Sequence, residues 1–204
     1  MRRYKQSEIE LIIKALKEDS VISVPTDTVY GLCVRVNSSK AFNKLVEVKS
    51  RPSNKSFPVM CSDLEQIKSI AIVDERSEKL INKLMPGPVT LILRKKKETF
   101  LYINNAGLRE TDEIAVRMAT SLFLKNLING VGVPLFMTSA NKSGDEECRS
   151  LDDIENMCPT IDGMVEGDVS LGEASTIIDC TGEDIKIQRP GPISEQQITE
   201  ILNK

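Results

Sequence analysis

The stretch Val21-Ile-Ser-Val-Pro-Thr-Asp-Thr-Val-Tyr-Gly-Leu32 joins an apolar run to a cluster of small polar side chains. Pro25 has no N–H to donate to a neighbouring strand, so it ends the strand that the apolar run predicts. The short polar side chains of 26–28 can then hydrogen-bond their own backbone or turn their hydroxyls toward a ligand. Gly31 permits a close backbone approach before the next apolar run. Two interpretations stay open here: a plain strand–turn–strand, and one whose turn holds a ligand.

Hydrophobic periodicity around this stretch alternates between strand and helix patterns. Strands are predicted over 21–25, 32–36, 57–61, 89–94, 114–118, 134–137, 175–179 and 185–189. Helices are predicted over 8–18, from 39 to about 49, over 62–70, before Pro86, over 122–128 up to Gly130, over 150–157 and from 195 onward. Capping boxes are predicted at Ser7–Glu10 and Ser62–Glu65. Because strands and helices intermix throughout, we expect an α/β fold with one domain over 1–204, built on a mixed β-sheet flanked by helices.

Composition indicates an ordinary globular protein, since 40% of the 204 residues are hydrophobic and 28% are charged. No apolar run approaches the roughly 18 residues of a membrane span, and the basic start leads into a charged helix, so we expect a cytoplasmic protein without membrane contact. The five cysteines are odd in number and lack Cys-x-x-Cys spacing, which argues against a zinc site or disulfide framework. The chain has no histidine, which excludes Ser-His and Cys-His nucleophilic machinery and the usual catalytic zinc sites.

Scattered cations and hydroxyls remain as the candidate chemistry. The sequence contains no Gly-x-x-x-x-Gly-Lys-[Ser/Thr] loop and no complete dinucleotide fingerprint, so one phosphate-cradling loop is not available to hold a nucleotide. Cations with short polar groups suit the charge stabilisation of phosphoryl or nucleotidyl transfer. The candidates are Lys49, Arg51, Lys55, Arg117, Arg149 and Arg189, with Thr28, Ser139, Asn141 and Ser175. The alternative for the first three cations is a solvated helix end whose charges favour the helix dipole.

Several short motifs occur in an order that carries a family resemblance. They are Pro25-Thr-Asp-Thr-Val-Tyr-Gly-Leu32, Lys49-x-Arg51-Pro52, Pro86-Gly-Pro-Val-Thr90, Ala115-Val-Arg117, Thr138-Ser-Ala-Asn141 with Ser143-Gly144, Ser175-Thr-Ile-Ile-Asp179 and Arg189-Pro-Gly191. Each motif is weak alone, but together and in this order they are specific. The chain thus resembles the YrdC-type threonylcarbamoyl-adenylate synthases from about residue 7 to about 193.

The resemblance implies a YrdC-like domain with a basic concave cleft and a nucleotidyltransferase activity. Such an enzyme takes L-threonine, bicarbonate and ATP with Mg²⁺, and makes threonylcarbamoyl-AMP and pyrophosphate. The product serves formation of N6-threonylcarbamoyladenosine beside the tRNA anticodon, through separate threonylcarbamoyl transferase proteins. No metal ligand of the chain's own is expected.

The resemblance also implies roles for the matching residues. Lys49 and Arg51 are the expected catalytic residues. Threonine and bicarbonate are expected at Thr28, Arg117, Ser139 and Ser175. ATP is expected at Lys49, Arg51, Lys55, Asn141, Arg149 and Arg189. Thr26 and Glu113 are expected as neighbours of this site.

Three departures from the family pattern stand out. Met60 occupies a position where many members have a histidine that contacts threonine. Ser56 replaces a proline after Lys55, and Met118-Ala119 replaces the usual strand end after Arg117. Because the sequence ends at Lys204, we expect the short form of the family, without the second C-terminal domain of longer members.

Two other functions compete with the enzyme. One is a module that binds double-stranded RNA or tRNA through the same basic cleft. A milder version of this alternative is an enzyme that also binds RNA or tRNA weakly. A net charge of −3 and an aromatic content of 4% weigh against it. The other is a regulatory homologue that binds nucleotide without turnover, which the intact Lys-x-Arg and Ser-x-Asn signature disfavours.

Overall fold

The computed structural model describes residues 1–50, 57–97, 112–169 and 173–203. Within these ranges the strands form one eleven-stranded mixed sheet. The strands are β1 (Arg2–Tyr4), β2 (Ile22–Val24), β3 (Gly31–Arg35), β4 (Val59–Cys61), β5 (Ala71–Ile72), β6 (Val89–Lys95), β7 (Glu113–Met118), β8 (Leu135–Ser139), β9 (Gly163–Val165), β10 (Thr176–Asp179) and β11 (Lys186–Arg189). The order across the sheet is β1-β9-β2-β3-β8-β4-β7-β6-β10-β11, and β5 pairs with β6.

Both parallel and antiparallel pairs occur along this order. The opening hairpin β2–β3 is antiparallel and pairs Val24 with Gly31. β3 is antiparallel to β8, with Gly31 opposite Ser139. β4 and β7 are parallel, and Met60 lies opposite Arg117. β6 and β10 are also parallel, with Thr90 opposite Ile177. The register therefore brings the polar ends of distant strands to one region of the sheet.

Seven helices within the described ranges pack on the sheet. They are α1 (Ile9–Lys17), α2 (Ser39–Lys49), α3 (Leu64–Ile70), α4 (Glu75–Leu84), α5 (Leu122–Val131), α6 (Leu151–Met157) and α7 (Glu195–Leu202). Most begin at a side-chain cap, as at Ser38, whose hydroxyl accepts from the Ala41 N–H. Ser150 and Ser194 open capping boxes in the same way.

One face of the sheet, which we call the closed face, is covered by α2, α3, α4, α6 and α7. Apolar side chains of these helices share one core cluster with alternate residues of β3, β4, β6 and β7, including Leu32, Val59, Leu91 and Val116. The rings of Phe42 and Phe136 pack edge-to-face in it with centroids 5.3 Å apart.

The opposite face, which we call the open face, is covered only in part. α1 and α5 pack together there over a second cluster that includes Ile12, Leu16 and Leu124. This cluster reaches Cys33 of β3 and Met60 of β4, but it contains no described residue of β6, β10 or β11. Within the described ranges, β6, β10 and β11 are thus left without a helical cover on the open face.

The α/β fold with a mixed sheet agrees with the sequence prediction, but several local predictions were wrong. Asp63 rather than Ser62 caps α3, because its carboxylate accepts from the Gln66 N–H. α5 continues through Gly130 and ends at Val131, and its C-cap Gly132 has a left-handed φ of 86°. A 3-10 turn precedes α1, where the Lys5 N–H donates to Glu8 in place of the predicted Ser7–Glu10 box. The short strands β1, β5 and β9 were not predicted.

Candidate functional site

A cavity of about 330 Å³ lies on the open face, where the helical cover is missing. Alternate residues of the uncovered strands form its floor, because every second side chain of a strand points to the same face. The floor and walls include Gly31, Met60, Thr90, Ile92, Ala115, Arg117, Met137, Ser139, Ser175, Ile177 and Arg189. The polar strand ends that the sequence predicted to be near a ligand therefore meet at one place.

The turn after Pro25 forms one rim of the cavity and is held by its own side chains. The Thr26 hydroxyl donates to the Val29 carbonyl at 2.6 Å and accepts from the Thr28 N–H at 3.2 Å. Both threonines are buried, and both line the cavity. The sequence left two interpretations of this turn open, a plain strand connection and a turn that holds a ligand. In the structure the turn connects two strands and also forms part of a cavity wall.

Arg117 lies in the cavity wall and forms an ion pair with Asp27 of the same turn. Its Nη2 donates to both carboxylate oxygens, at 2.9 and 3.1 Å, and its Nη1 donates to the Thr28 hydroxyl at 3.2 Å. The Thr120 hydroxyl also donates to Asp27. Burial lowers the pKa of Arg117, while the charge of Asp27 raises it. The Arg117 Nε is buried with no hydrogen-bond partner among the described residues, so the guanidinium keeps unused donor capacity.

Ser175 forms the opposite wall together with two partners. Its hydroxyl lies 2.8 Å from the Thr90 hydroxyl, and both residues are buried. Arg189 donates to the Ser175 carbonyl at 2.8 Å and to its hydroxyl at 3.2 Å. These bonds fix the arginine at the cavity edge, where burial lowers its pKa. A cation and two hydroxyls are thereby held in one orientation.

Lys49, at the end of α2, is only 2% exposed. Its ammonium donates to the Ser139 carbonyl at 2.7 Å and to the Asn141 side-chain oxygen at 2.5 Å. The Ser139 hydroxyl donates to the same Asn141 oxygen at 2.7 Å, and the Asn141 amide donates to the Asp145 carbonyl. The alternative of a solvated helix end is therefore wrong for Lys49. The structure joins Lys49, Ser139 and Asn141 in one buried network.

Apolar side chains close the remaining cavity wall. Met60 is 1% exposed and contributes a thioether where the family resemblance implied a histidine. A Cβ on Gly31 would lie 3.0 Å from the Met137 side chain, so glycine lets Met137 approach the turn. The cavity lining consequently combines polar and charged side chains with apolar ones.

Lys49 and Asn141 are not among the residues that line the cavity, and the remaining predicted site residues lie outside it or outside the described ranges. Arg149 is exposed, and its backbone N–H donates to Asp153. Glu113 is exposed at the start of β7. Arg51 and Lys55, like Ser56, fall outside the described residues. Their predicted roles, and the basic character of the cleft, stay predictions.

Thr90, Asp27 and Glu147 are among the cavity or cavity-supporting residues that were missing from the sequence-based site. Thr90 and Asp27 stand inside quoted motifs, and the alternation of β6 places Thr90 on the face opposite Leu91. Glu147 lines the cavity but follows a run of acidic and polar loop residues that gives no signal. Within the described parts of the chain, no group of three or more metal-binding side chains was found. No helix there is long and apolar enough to cross a membrane.

Comparison with known sequences gives a family match over most of the chain. The Sua5/YciO/YrdC family model, described as "Telomere recombination", matches residues 14–191. A threonylcarbamoyl-AMP synthase of Bacillus subtilis is 31% identical over 193 residues, covering 92% of this chain and 54% of the relative. One of Yersinia enterocolitica is 30% identical over 180 residues, covering 84% of this chain and 92% of the relative. The chain thus spans about half of the first relative and nearly all of the second.

Comparison with solved structures agrees with the fold. Pyrococcus abyssi Sua5 complexed with L-threonine superposes with a TM-score of 0.88 at 26% identity, covering 98% of this chain and 60% of that one. E. coli YciO superposes with a TM-score of 0.84 at 23% identity, covering 97% and 98%. The second likeness supports the fold alone.

Proposed function

Because the chain belongs to the Sua5/YciO/YrdC family, we propose that it is an L-threonylcarbamoyl-AMP synthase. The reaction joins L-threonine, bicarbonate and ATP into threonylcarbamoyl-AMP with release of pyrophosphate. The observation that carries the proposal is the cavity on the open face, whose wall contains Arg117 and buried hydroxyls and which adjoins the Lys49 network at Ser139. Sequence relatives with this name and a threonine complex of a structural relative support it.

The proposed threonine site comprises Thr28, Arg117, Ser139 and Ser175. A guanidinium in the cavity wall suits the substrate carboxylate, since planar N–H groups match carboxylate oxygens. Hydroxyls fixed by hydrogen bonds, such as Ser175 beside Thr90, can bind the polar groups of a small amino acid without further ordering. A cavity of about 330 Å³ holds a ligand of threonine's size.

The proposed ATP site begins at the Lys49 network and includes Asn141 and Arg189. Arg51 and Lys55 are kept in the proposed ATP set on the sequence resemblance alone, because they belong to the same sequence segment as Lys49. Arg149 is the outermost candidate. We expect Mg²⁺ to arrive with the ATP phosphates, because Mg²⁺ is commonly bound through substrate phosphates.

The geometry suits positioning and charge stabilisation. Threonine's amine forms a carbamate with bicarbonate-derived CO₂, and the carbamate oxygen attacks the α-phosphorus. Both reactants are anions, so cations must hold them together and stabilise the charge that develops on pyrophosphate. Lys49 and Arg51 are the residues proposed for that task.

The product implies further partners. We propose that separate threonylcarbamoyl transferase proteins use the intermediate to modify tRNA, and that the chain works as a single domain in the cytoplasm, where tRNA and ATP are present. RNA binding by the cavity itself would be weak and displaced by ATP.

The deciding experiment measures pyrophosphate release and the mass of the nucleotide product. We expect pyrophosphate only when threonine, bicarbonate and ATP are all present, with threonylcarbamoyl-AMP as the product. Lys49→Met and Arg51→Ala should each lower kcat by roughly 10²-fold, whereas the exposed-helix control Lys17→Ala should match the parent. Release of ADP and inorganic phosphate, or equal turnover by all variants, would contradict the proposal.

A further inference from the structure

Glu147 is the one acidic side chain among the described residues that line the cavity. The cavity also contains two basic side chains, Arg117 and Arg189. Glu147 is half-buried, whereas its neighbour Glu146 is exposed. The cavity therefore presents both signs of charge to whatever it binds.

The backbone on the C-terminal side of Glu147 is held in place by two hydrogen bonds. The N–H of buried Cys148 donates to the Ala140 carbonyl at 2.9 Å, just beyond the end of β8. The Arg149 N–H donates to the Asp153 carboxylate at 3.0 Å, at the start of α6. Glu147 thus has a defined position beside the cavity.

Glu147 differs from the other charged cavity residues in its contacts. Arg117 is paired with Asp27, and Arg189 with Ser175. Glu147 makes no side-chain hydrogen bond and no ion pair with any residue in the described ranges. Its charge is nevertheless felt in the cavity, because burial lowers the pKa of Arg189 while Glu147 raises it. A half-buried carboxylate without a partner is a favourable site for a cationic group of a ligand.

Resting on the proposed function, we propose that Glu147 binds the α-ammonium group of the amino-acid substrate while the arginine side of the cavity receives its carboxylate. A zwitterion carries both charges on adjacent groups, and the cavity offers both complements. Such an arrangement selects a free amino acid over a hydroxy acid of the same shape, because only the amino acid satisfies the carboxylate of Glu147. Glu147 is then a specificity-determining residue.

A ligand that lacks only the amino group tests this role. We expect Glu147→Gln to weaken L-threonine binding by about tenfold or more, as for loss of a hydrogen bond to a charged group. The affinity of this variant for (R)-3-hydroxybutanoate, which is L-threonine without its amino group, should equal or exceed that of the parent. The substitution removes the repulsion between the ligand carboxylate and the Glu147 carboxylate. Glu147→Asp should retain part of the preference, and Glu146→Gln should change neither affinity. Isothermal titration calorimetry supplies the constants, with thermal melting as the check on folding.

The outcomes separate this proposal from the enzyme proposal. Equal weakening of both ligands by Glu147→Gln, or unchanged threonine affinity, would overturn the role of Glu147 even if the parent releases pyrophosphate. The parent could also bind L-threonine without releasing pyrophosphate, while Glu147→Gln weakens the binding of L-threonine alone. That result would support the role of Glu147 and reject the enzyme proposal. A parent that does not bind L-threonine would overturn both.

Discussion

The closed and open faces of the sheet share the same strands but use them for different purposes. On β6, Leu91 points into the closed-face core, while its neighbour Thr90 points into the cavity. On β7 the same alternation separates Val116 from Arg117. The closed face is apolar across its width, whereas the open face becomes polar where α1 and α5 end their cover. Binding groups are thus placed by rigid strands whose other side is fixed by core packing.

The largest expected effect concerns the ion pair between Asp27 and Arg117 on the open face. Its side chains are 16% and 11% exposed, so removing one partner leaves a largely buried charge. Asp27→Ala should reduce the free energy of unfolding by about 3 to 5 kcal/mol, as measured by urea denaturation. The double variant Asp27→Ala/Arg117→Met should recover part of this loss. A double variant that is less stable than the single one would show that the open face depends on packing rather than charge.

The expected effect of intermediate size is a difference between substituting Leu91, on the closed face, and substituting Thr90, on the open face. Leu91→Ala should cost about 3 kcal/mol of stability through the cavity it creates, with the threonine KM within about twofold of the parent when assayed below the melting transition. Thr90→Val removes the hydroxyl bonded to Ser175, so it should cost about 1 kcal/mol and raise the threonine KM about fivefold. Steady-state kinetics and thermal melting of both variants test this. The distinction between the faces fails if the two variants change KM alike.

The smallest expected effect is a pH dependence of stability that arises at the start of α3, a helix on the closed face. The Gln66 N–H lowers the pKa of the Asp63 carboxyl below its usual 3.8. Because the folded pKa is the lower one, Asp63 stabilises the fold above 3.8, and this contribution is lost as pH falls through the folded pKa.

Asp63→Asn keeps the capping oxygen but removes the charge at the N-terminus of α3. We expect it to cost about 0.5 kcal/mol at neutral pH, and the difference from the parent should vanish once Asp63 is protonated. Denaturation curves at pH 7 and in acid measure this. A cost that is independent of pH would assign the stabilisation to capping geometry alone.

The alternating faces of the strands were predictable, but the contacts between distant residues were not. The period of two over 89–94 already separates Leu91 from Thr90. The pairing of Asp27 with Arg117 joins residues 90 positions apart, and no local pattern encodes it. Sequence patterns likewise gave no reason to expect a buried Lys49, because a cation at a helix end is normally solvated.

Short elements and acidic loops were the other limits of prediction. β1 and β9 have three residues each, which is too few for a periodic signal. Glu147 follows Asp145 and Glu146 in an acidic loop, where composition indicates only solvent exposure. Its approach to the cavity arises from the hydrogen bond between Cys148 and Ala140, a contact that depends on how the loop returns to β8.

The pairing of β1 with β9 has a consequence for synthesis of the chain. Arg2 lies opposite Gly163, so the N-terminal strand finds its partner only after most of the polypeptide has been made. At 5 to 20 residues per second, that interval is on the order of ten seconds. During this time the nascent N-terminus is an unpaired strand on the ribosome, and β2 likewise awaits β9 on one side. Completion of this edge of the sheet is therefore a late event in the folding of the chain.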